Sequence, residues 1–394
     1  MIEASPLTDC ELLKAKTIEV LAGNQNATEK ARQIWNDLLN DTGATSEIYL
    51  KWCYMSTLGI EKDTKDRYYQ AFIQDYFHVS GKEHFTAYEQ DVFLRRLTEL
   101  KSDFEYCRKL SKGEWPIANS DYPEWEKAIL ANLVVSMRHT LCIPVLLSAL
   151  HTKPNHGANV EDLFFRCLEY CETFFMLYKG VLGYRETKFK GVYLQTATEF
   201  RDPDNKTALV DFKNALCGIE KKLTRKTCDE RLKSLVYIPK SQNTIVKYLL
   251  ILFETYYSCF SGNSVNTKNV ADGRTLVYND LSIEHIYDET LKEEEQDKKL
   301  EPHKHKLGNL VIYGKTANSK LPKEYDKKRK KYLESGVLSA AAVANTYPVW
   351  DYNGYDNRQK EICEKLSVLL LRFYPTSAPA IVNPESSSQD KASI

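Results

Sequence analysis

A change of texture near residue 260 constrains this chain more than any other feature. Before it, apolar residues recur at intervals of three and four with polar residues between them, the repeat of amphipathic helices. Thr8 and Asp9 precede Leu12, Leu13, Ile18, Val20 and Leu21 as a capped helix would, and Asn26 and Thr28 precede Ala31, Ile34, Trp35, Leu38 and Leu39. Asp121 with Pro123 opens the longest segment, in which Ile129, Leu133, Met137, Leu141 and Val145 follow at four-residue steps. Pro144 is expected to kink or end it. Further helices are predicted over 160–180, 205–217 and 241–260, separated by turn-rich stretches such as KPNHGAN and RDPDNK. The aromatic residues Trp35, Trp52, Tyr54, Tyr68, Tyr69, Phe72, Tyr76 and Phe77 fall at helical spacing, which favours core packing over a base-stacking surface.

After Phe260 the pattern shortens. SGNSVNTKNVADGR is a polar loop, TLVYNDLSIEHIYDE contains an extended segment, and an acidic and lysine-rich insertion (LKEEEQDKKLEPHKHK) leads to LGNLVIYG, short enough to be a strand. TANSKLPKEYDKKRKKYLESG is expected to close the unit as a helix from about Thr316 to just before Gly336. The tail from Thr376 is rich in Ser, Pro and Ala and is expected to be disordered. The predicted fold is therefore mainly α: a helical domain over 1–260, an α+β domain over 261–375 and a tail over 376–394. A length of 394 residues suits two domains.

Charge gives no global argument for a polyanionic partner, because Lys plus Arg and Asp plus Glu both count 54. Any basic surface must be local. The ten cysteines contain no C-x-x-C pair, so neither a zinc ribbon nor a disulfide scaffold is indicated, and a reducing cytosol is the simplest reading. Cys167 and Cys171, one helical turn apart, read as core thiols rather than a metal pair. The N-terminus lacks the basic start and apolar run of a signal peptide, and no stretch of about 18 apolar residues predicts a membrane span. The expected location is cytoplasmic.

Hydrolysing a phosphodiester needs a base to activate water and a cation to neutralise charge on the phosphate. Glu284 and His285 offer a carboxylate and an imidazole side by side, although on an extended strand neighbours point to opposite faces, so the pair needs a strand end or bend to converge. A helix near Asn318 would add an amide oxygen and a positive dipole end. Singly, each piece is ordinary: a histidine at a strand end, an asparagine in a Gly-Asn turn, an asparagine capping a helix.

Together, IEHI at 283–286, HKLGNL at 305–310 and NSKL at 318–321 resemble the HNH nuclease domain at the C-terminus of GmrSD-type restriction enzymes, and Asn309 and Asn318 stand nine residues apart as in the turn-to-helix step of a ββα-metal finger. The resemblance implies that His285 is the general base, that Glu284 and Asn318 hold one Mg²⁺ or Mn²⁺, and that Asn309 fixes the loop orienting His285. His305 matches a family histidine whose role is left open, and His303 reads as a solvated loop residue. In WDYNGYDNRQKEICEKLSVLL, Trp350 looks like a packing anchor and Arg358 like either a phosphate contact or a solvated helix residue. The sequence departs from the family after IEHI, where a proline is usual and Tyr287, Asp288 and Glu289 stand instead. The acidic start of the insertion must then point away from a phosphate or share in metal binding.

Lys320, Lys323, Lys327, Lys328, Arg329, Lys330 and Lys331 make one strongly basic element, either a solvated face or a track for a nucleic-acid backbone. SPLTDCELLKAKTI at 5–18 resembles the segment that follows the nucleotide-dependent core of GmrSD-type proteins, yet neither a DGQQR-type motif nor a Walker A loop is present, so no nucleotide hydrolysis is expected of this chain. Its nucleotide-dependent sensor is then a missing domain or a separate subunit. The expected function is a metal-dependent DNA endonuclease of prokaryotic restriction and antiviral defence. The alternatives are a helical DNA-docking module with a non-catalytic HNH finger, and a ribonuclease or toxin nuclease.

Overall fold

The computed structural model describes residues 7–42, 45–62, 67–82, 84–152, 159–239, 244–262, 264–268, 270 and 275–375. The tail over 376–394, expected to be disordered, lies outside the described residues, as does most of the KPNHGAN stretch. The chain is mainly helical, as the periodicity predicts. The first helix, Asp9–Val20, opens on a reciprocal cap in which Glu11 N–H donates to Thr8 Oγ1 (3.2 Å) and Thr8 N–H to Glu11 Oε2 (2.8 Å). In the second, Gln25–Thr42, Asn24 Oδ1 accepts from Ala27 N–H at 3.0 Å, one turn ahead of the apolar run.

The long segment from Asp121 does not run through to Val145. Helix Glu124–Leu130 widens into the π-helical turn Ala131–Ser136 and stops at Arg138, whose φ of 56° is left-handed. Pro144 lies in the first turn of the next helix, Ile143–His151, where a missing N–H costs nothing. Proline starts a helix here instead of ending one. The same widened ending recurs at Phe72–Tyr76, followed by His78 (φ 56°), and at Met176–Val181, followed by Gly183 (φ 70°).

Two antiparallel strands, Leu281–His285 and Leu310–Gly314, form a hairpin with the insertion as its long connection; His285 pairs with Leu310 and Leu281 with Gly314. Alternate residues of the second strand serve two apolar clusters. Leu310 and Ile312 join the large core, which also holds Trp35, Tyr54, Phe72, Phe164 and Tyr248. Val311 and Tyr313 join a smaller cluster with Ile286, Tyr332, Val343, Trp350 and Tyr355. Burial on both faces is why LVIY reads as a continuous apolar run. The large core thus continues across residue 260 and takes in Ile362, Leu366 and Leu369 of the last helix, Tyr352–Leu370.

The helix expected from Thr316 to Gly336 is two. Lys315–Asn318 is a single turn, and after a break at Pro322 the chain resumes as Tyr325–Glu334. Asn318 therefore ends a short helix and starts none, so no helix N-terminus adds its dipole at that residue. All ten cysteines are free, and Cys167 and Cys171 are buried in the large core. Among the described residues no single helix is long and apolar enough to cross a membrane.

Candidate functional site

His285 is the last residue of its strand and is only 6% exposed. Strand alternation sends Glu284 to the opposite face, toward the smaller cluster, where its Oε1 meets Lys328 Nζ at 2.7 Å and accepts from Tyr332 Oη at 3.1 Å. The strand ends immediately after, and the chain turn carries Asp288 and Glu289 back toward it. The result is an open cleft of about 370 Å³ lined by Glu284, His285, Asp288, Glu289, Lys315 and Asn318, with Ser282, Ile283, Thr290 and Ser319. The pair that must diverge on a regular strand thus borders one space.

Asn318 donates through Nδ2 to Ser282 Oγ (2.9 Å) and to the Ile283 carbonyl (3.0 Å). Its nitrogen is committed, which leaves the amide oxygen as the group able to accept or ligate. Asn309 has a different position. It is buried, and Oδ1 accepts from Tyr287 N–H (2.8 Å) and Trp350 Nε1–H (3.0 Å) while Nδ2 donates to the carbonyls of Tyr287 and Lys304 (both 2.9 Å). Together with Ile286 N–H on the Asn309 carbonyl (2.9 Å), these bonds pin the backbone that leaves His285. Gly308, just before it, is required by close approach: a Cβ there would stand 2.8 Å from Gln359 Cβ on the last helix.

His285 Nε2 and His305 Nδ1 are 3.1 Å apart, and Glu289 Oε2 lies 3.8 Å from the first and 4.0 Å from the second. Tyr237, on the stretch after helix Arg225–Ser234, donates its N–H to the His305 carbonyl at 2.8 Å and sets its ring 5.7 Å from that of His285. Burial, then the neighbouring His305 and Lys328, push the His285 pKa down to about 3, so the ring is neutral at pH 7. Burial raises Glu284, an effect that Lys328 partly offsets. At Asp288 burial acts in the same direction, but hydrogen bonds from Thr290 and the charge of Lys328 together hold it below the usual range.

The basic run does not act as one surface. Lys328 is 1% exposed and reaches inward to Glu284, to Asp288 Oδ2 (3.3 Å) and to the His285 carbonyl (2.6 Å). Arg358 is also buried, donating to the Leu310 carbonyl at 3.1 Å beneath the second strand. The phosphate contacts expected of these two are therefore corrected to internal ones, because a backbone phosphate cannot reach either. Arg329 is drawn partly inward by a bond to the Ala344 carbonyl (2.6 Å). Lys320, Lys327, Lys330 and Lys331 remain exposed. His303, expected in solvent, stacks on Tyr355 with centroids 4.7 Å apart.

Sequence reasoning missed Tyr237, Lys315 and the inward turn of Lys328. The acidic start of the insertion was the one available signal for Asp288 and Glu289. Residues 224–365 match the family model described as GmrSD restriction endonucleases, C-terminal domain. The match opens at Thr224, the N-cap of helix Arg225–Ser234, and so includes Tyr237 as well as both strands. No curated protein matches the chain.

Proposed function

We propose, on the premise that residues 224–365 are the C-terminal part of a GmrSD-type restriction endonuclease, that the chain is a metal-dependent DNA endonuclease of antiviral defence with its HNH-type centre at His285. The observation that carries this reading is the single cleft bordered by Glu284, His285 and Asn318 at the end of a two-stranded hairpin and the short helix after it.

In this reading Glu284 and Asn318 would hold one Mg²⁺ or Mn²⁺. The donors fit a hard cation, since a carboxylate and an amide oxygen border the same space and Asp288 adds a second carboxylate. The cation would supply charge neutralisation at the phosphate and leaving oxygen. His285, neutral and held by its strand and by the backbone that Asn309 pins, takes the proton from the attacking water. His305 keeps the imidazole in place through the contact between the rings. Lys315 at the rim, with the exposed Lys320, Lys327, Lys330 and Lys331, tracks the DNA backbone through sequence-independent contacts. Lys328 is a positioning residue: it compensates Glu284 and Asp288 while fixing the carbonyl of His285.

Nicking of supercoiled plasmid, measured across chelation and metal add-back, tests the proposal. Activity is expected to vanish in EDTA and return with Mg²⁺ or Mn²⁺, and Asn318→Ala is expected to raise the metal concentration for half-activity by about tenfold or more. A non-catalytic docking module is the second reading, and the pairing of Glu284 with Lys328 favours it. DNA binding that survives EDTA, with no cleavage under either metal, would establish that module and overturn the nuclease. Cleavage of structured RNA in preference to plasmid would overturn the choice of DNA.

A further inference from the structure

The contact between His285 and His305 explains only two of the three groups that meet there. Glu289 Oε2 stands 3.8 Å from His285 Nε2 and 4.0 Å from His305 Nδ1, beyond hydrogen-bond reach of either nitrogen, yet it faces both. The three atoms form a triangle with sides of 3.1, 3.8 and 4.0 Å, and the point equidistant from its corners lies about 2.1 Å from each, the length of a zinc bond to histidine nitrogen or carboxylate oxygen. That point lies in the plane of the three atoms; a tetrahedral ion with bonds of about 2.1 Å sets its ligand atoms about 3.4 Å apart, so the Glu289 carboxylate has to move inward by about half an ångström to complete the site.

We infer that His285, Glu289 and His305 form a metal site for Zn²⁺-class ions, separate from the oxygen-donor site of Glu284 and Asn318. Two imidazoles and one carboxylate suit a borderline-soft ion better than Mg²⁺, and three protein ligands leave a fourth position to water. Access is open, because the side chains of Glu289 and His305 are 35% and 24% exposed whereas His285 closes the inner wall. Each ring must present a bare nitrogen, with its proton on the other ring nitrogen. Tyr237 steadies the His305 ligand from the main chain, through the bond from its N–H to the His305 carbonyl. An ion on His285 Nε2 with the proton on Nδ1 leaves that ring no nitrogen to accept a proton, so occupancy of this site and the base role of His285 under the proposed function exclude one another, and metal binding is read independently of cleavage.

Titration of the full-length, metal-stripped chain with Co²⁺, followed by visible absorption, tests the inference, and Zn²⁺ is then added as competitor. One equivalent of Co²⁺ is expected to give a saturable four-coordinate band that Zn²⁺ abolishes and a large excess of Mg²⁺ leaves in place. Glu289→Gln and His305→Gln, each shown to be folded by circular dichroism, are expected to weaken Co²⁺ binding by about tenfold or more. Asn318→Ala should leave it within about twofold, as expected of independent sites. No saturable band, or a band unchanged by both Glu289→Gln and His305→Gln, would overturn the site. A band abolished in Asn318→Ala would also overturn it, by showing that the ion sits at the oxygen donors. Loss of plasmid nicking alone would concern the nuclease proposal and not this one.

Discussion

Asn309 commits all of its side-chain donors and acceptors to internal partners, two on Tyr287, one on Lys304 and one on Trp350. Asn309→Ala would strand several buried groups at once and is expected to cost about 2–4 kcal/mol, read from urea unfolding with linear extrapolation. A loss below about 0.5 kcal/mol would show that water replaces those bonds. His139 offers a second test at this scale. It is fully buried against Phe175, with Nε2 3.2 Å from Tyr193 Oη, and burial holds its pKa below the ordinary 6.5 even though Glu186 pulls the other way. As pH falls through 6.5 the unfolded chain takes up a proton that the folded chain resists, so stability is lost toward acid. His139→Phe is expected to flatten the dependence of Tm on pH between 7 and 5, and an unchanged slope would assign it to other groups. The asparagines of the Gly-Asn turn and of NSKL were legible from motif spacing, whereas Glu289 was signalled only by the acidic start of the insertion, because its meeting with His285 and His305 depends on the path of that insertion.

Helix Tyr325–Glu334 separates two kinds of lysine. Tyr325, Lys328 and Tyr332 are spaced by three and four, which puts Lys328 on the apolar face between two aromatic rings and leaves Lys327, Lys330 and Lys331 outward. That spacing was present in the sequence, and counting charge alone concealed it. Lys328→Met is expected to destabilise the chain by about 3 kcal/mol, since Glu284 and Asp288 would be left without their buried partner. Replacing Lys327, Lys330 and Lys331 with Ala should change stability little and lower DNA affinity. For each of these lysines that neutralises a phosphate, its removal should also reduce the slope of log K against log salt by about 0.9. An unchanged slope would place the DNA elsewhere. The break at Pro322 was legible as well, because the residue before a proline resists helical geometry, but the good helix formers that follow it drew the helix back across the proline.

Across the whole molecule, periodicity marked the chain as helical up to residue 260 but placed no helix at Ala87–Lys112, the longest among the described residues, and carried no information on which elements share a core. The textural boundary at residue 260 marks a change of secondary structure, while Leu281, Leu307, Leu310 and Ile312 pack into the same cluster as Trp35 and Tyr248. Tyr237 reaches the His305 main chain from the helical side of that boundary. Urea unfolding is therefore expected to show one transition by tryptophan fluorescence and by circular dichroism, with coincident midpoints. Two resolved transitions would divide the core. The cutting centre itself stands or falls on one comparison: single-turnover nicking of supercoiled plasmid in Mg²⁺ by wild type and by His285→Ala of matched Tm. Removing the general base should slow nicking by about 10²- to 10⁴-fold. Equal rates would contradict the assignment of His285.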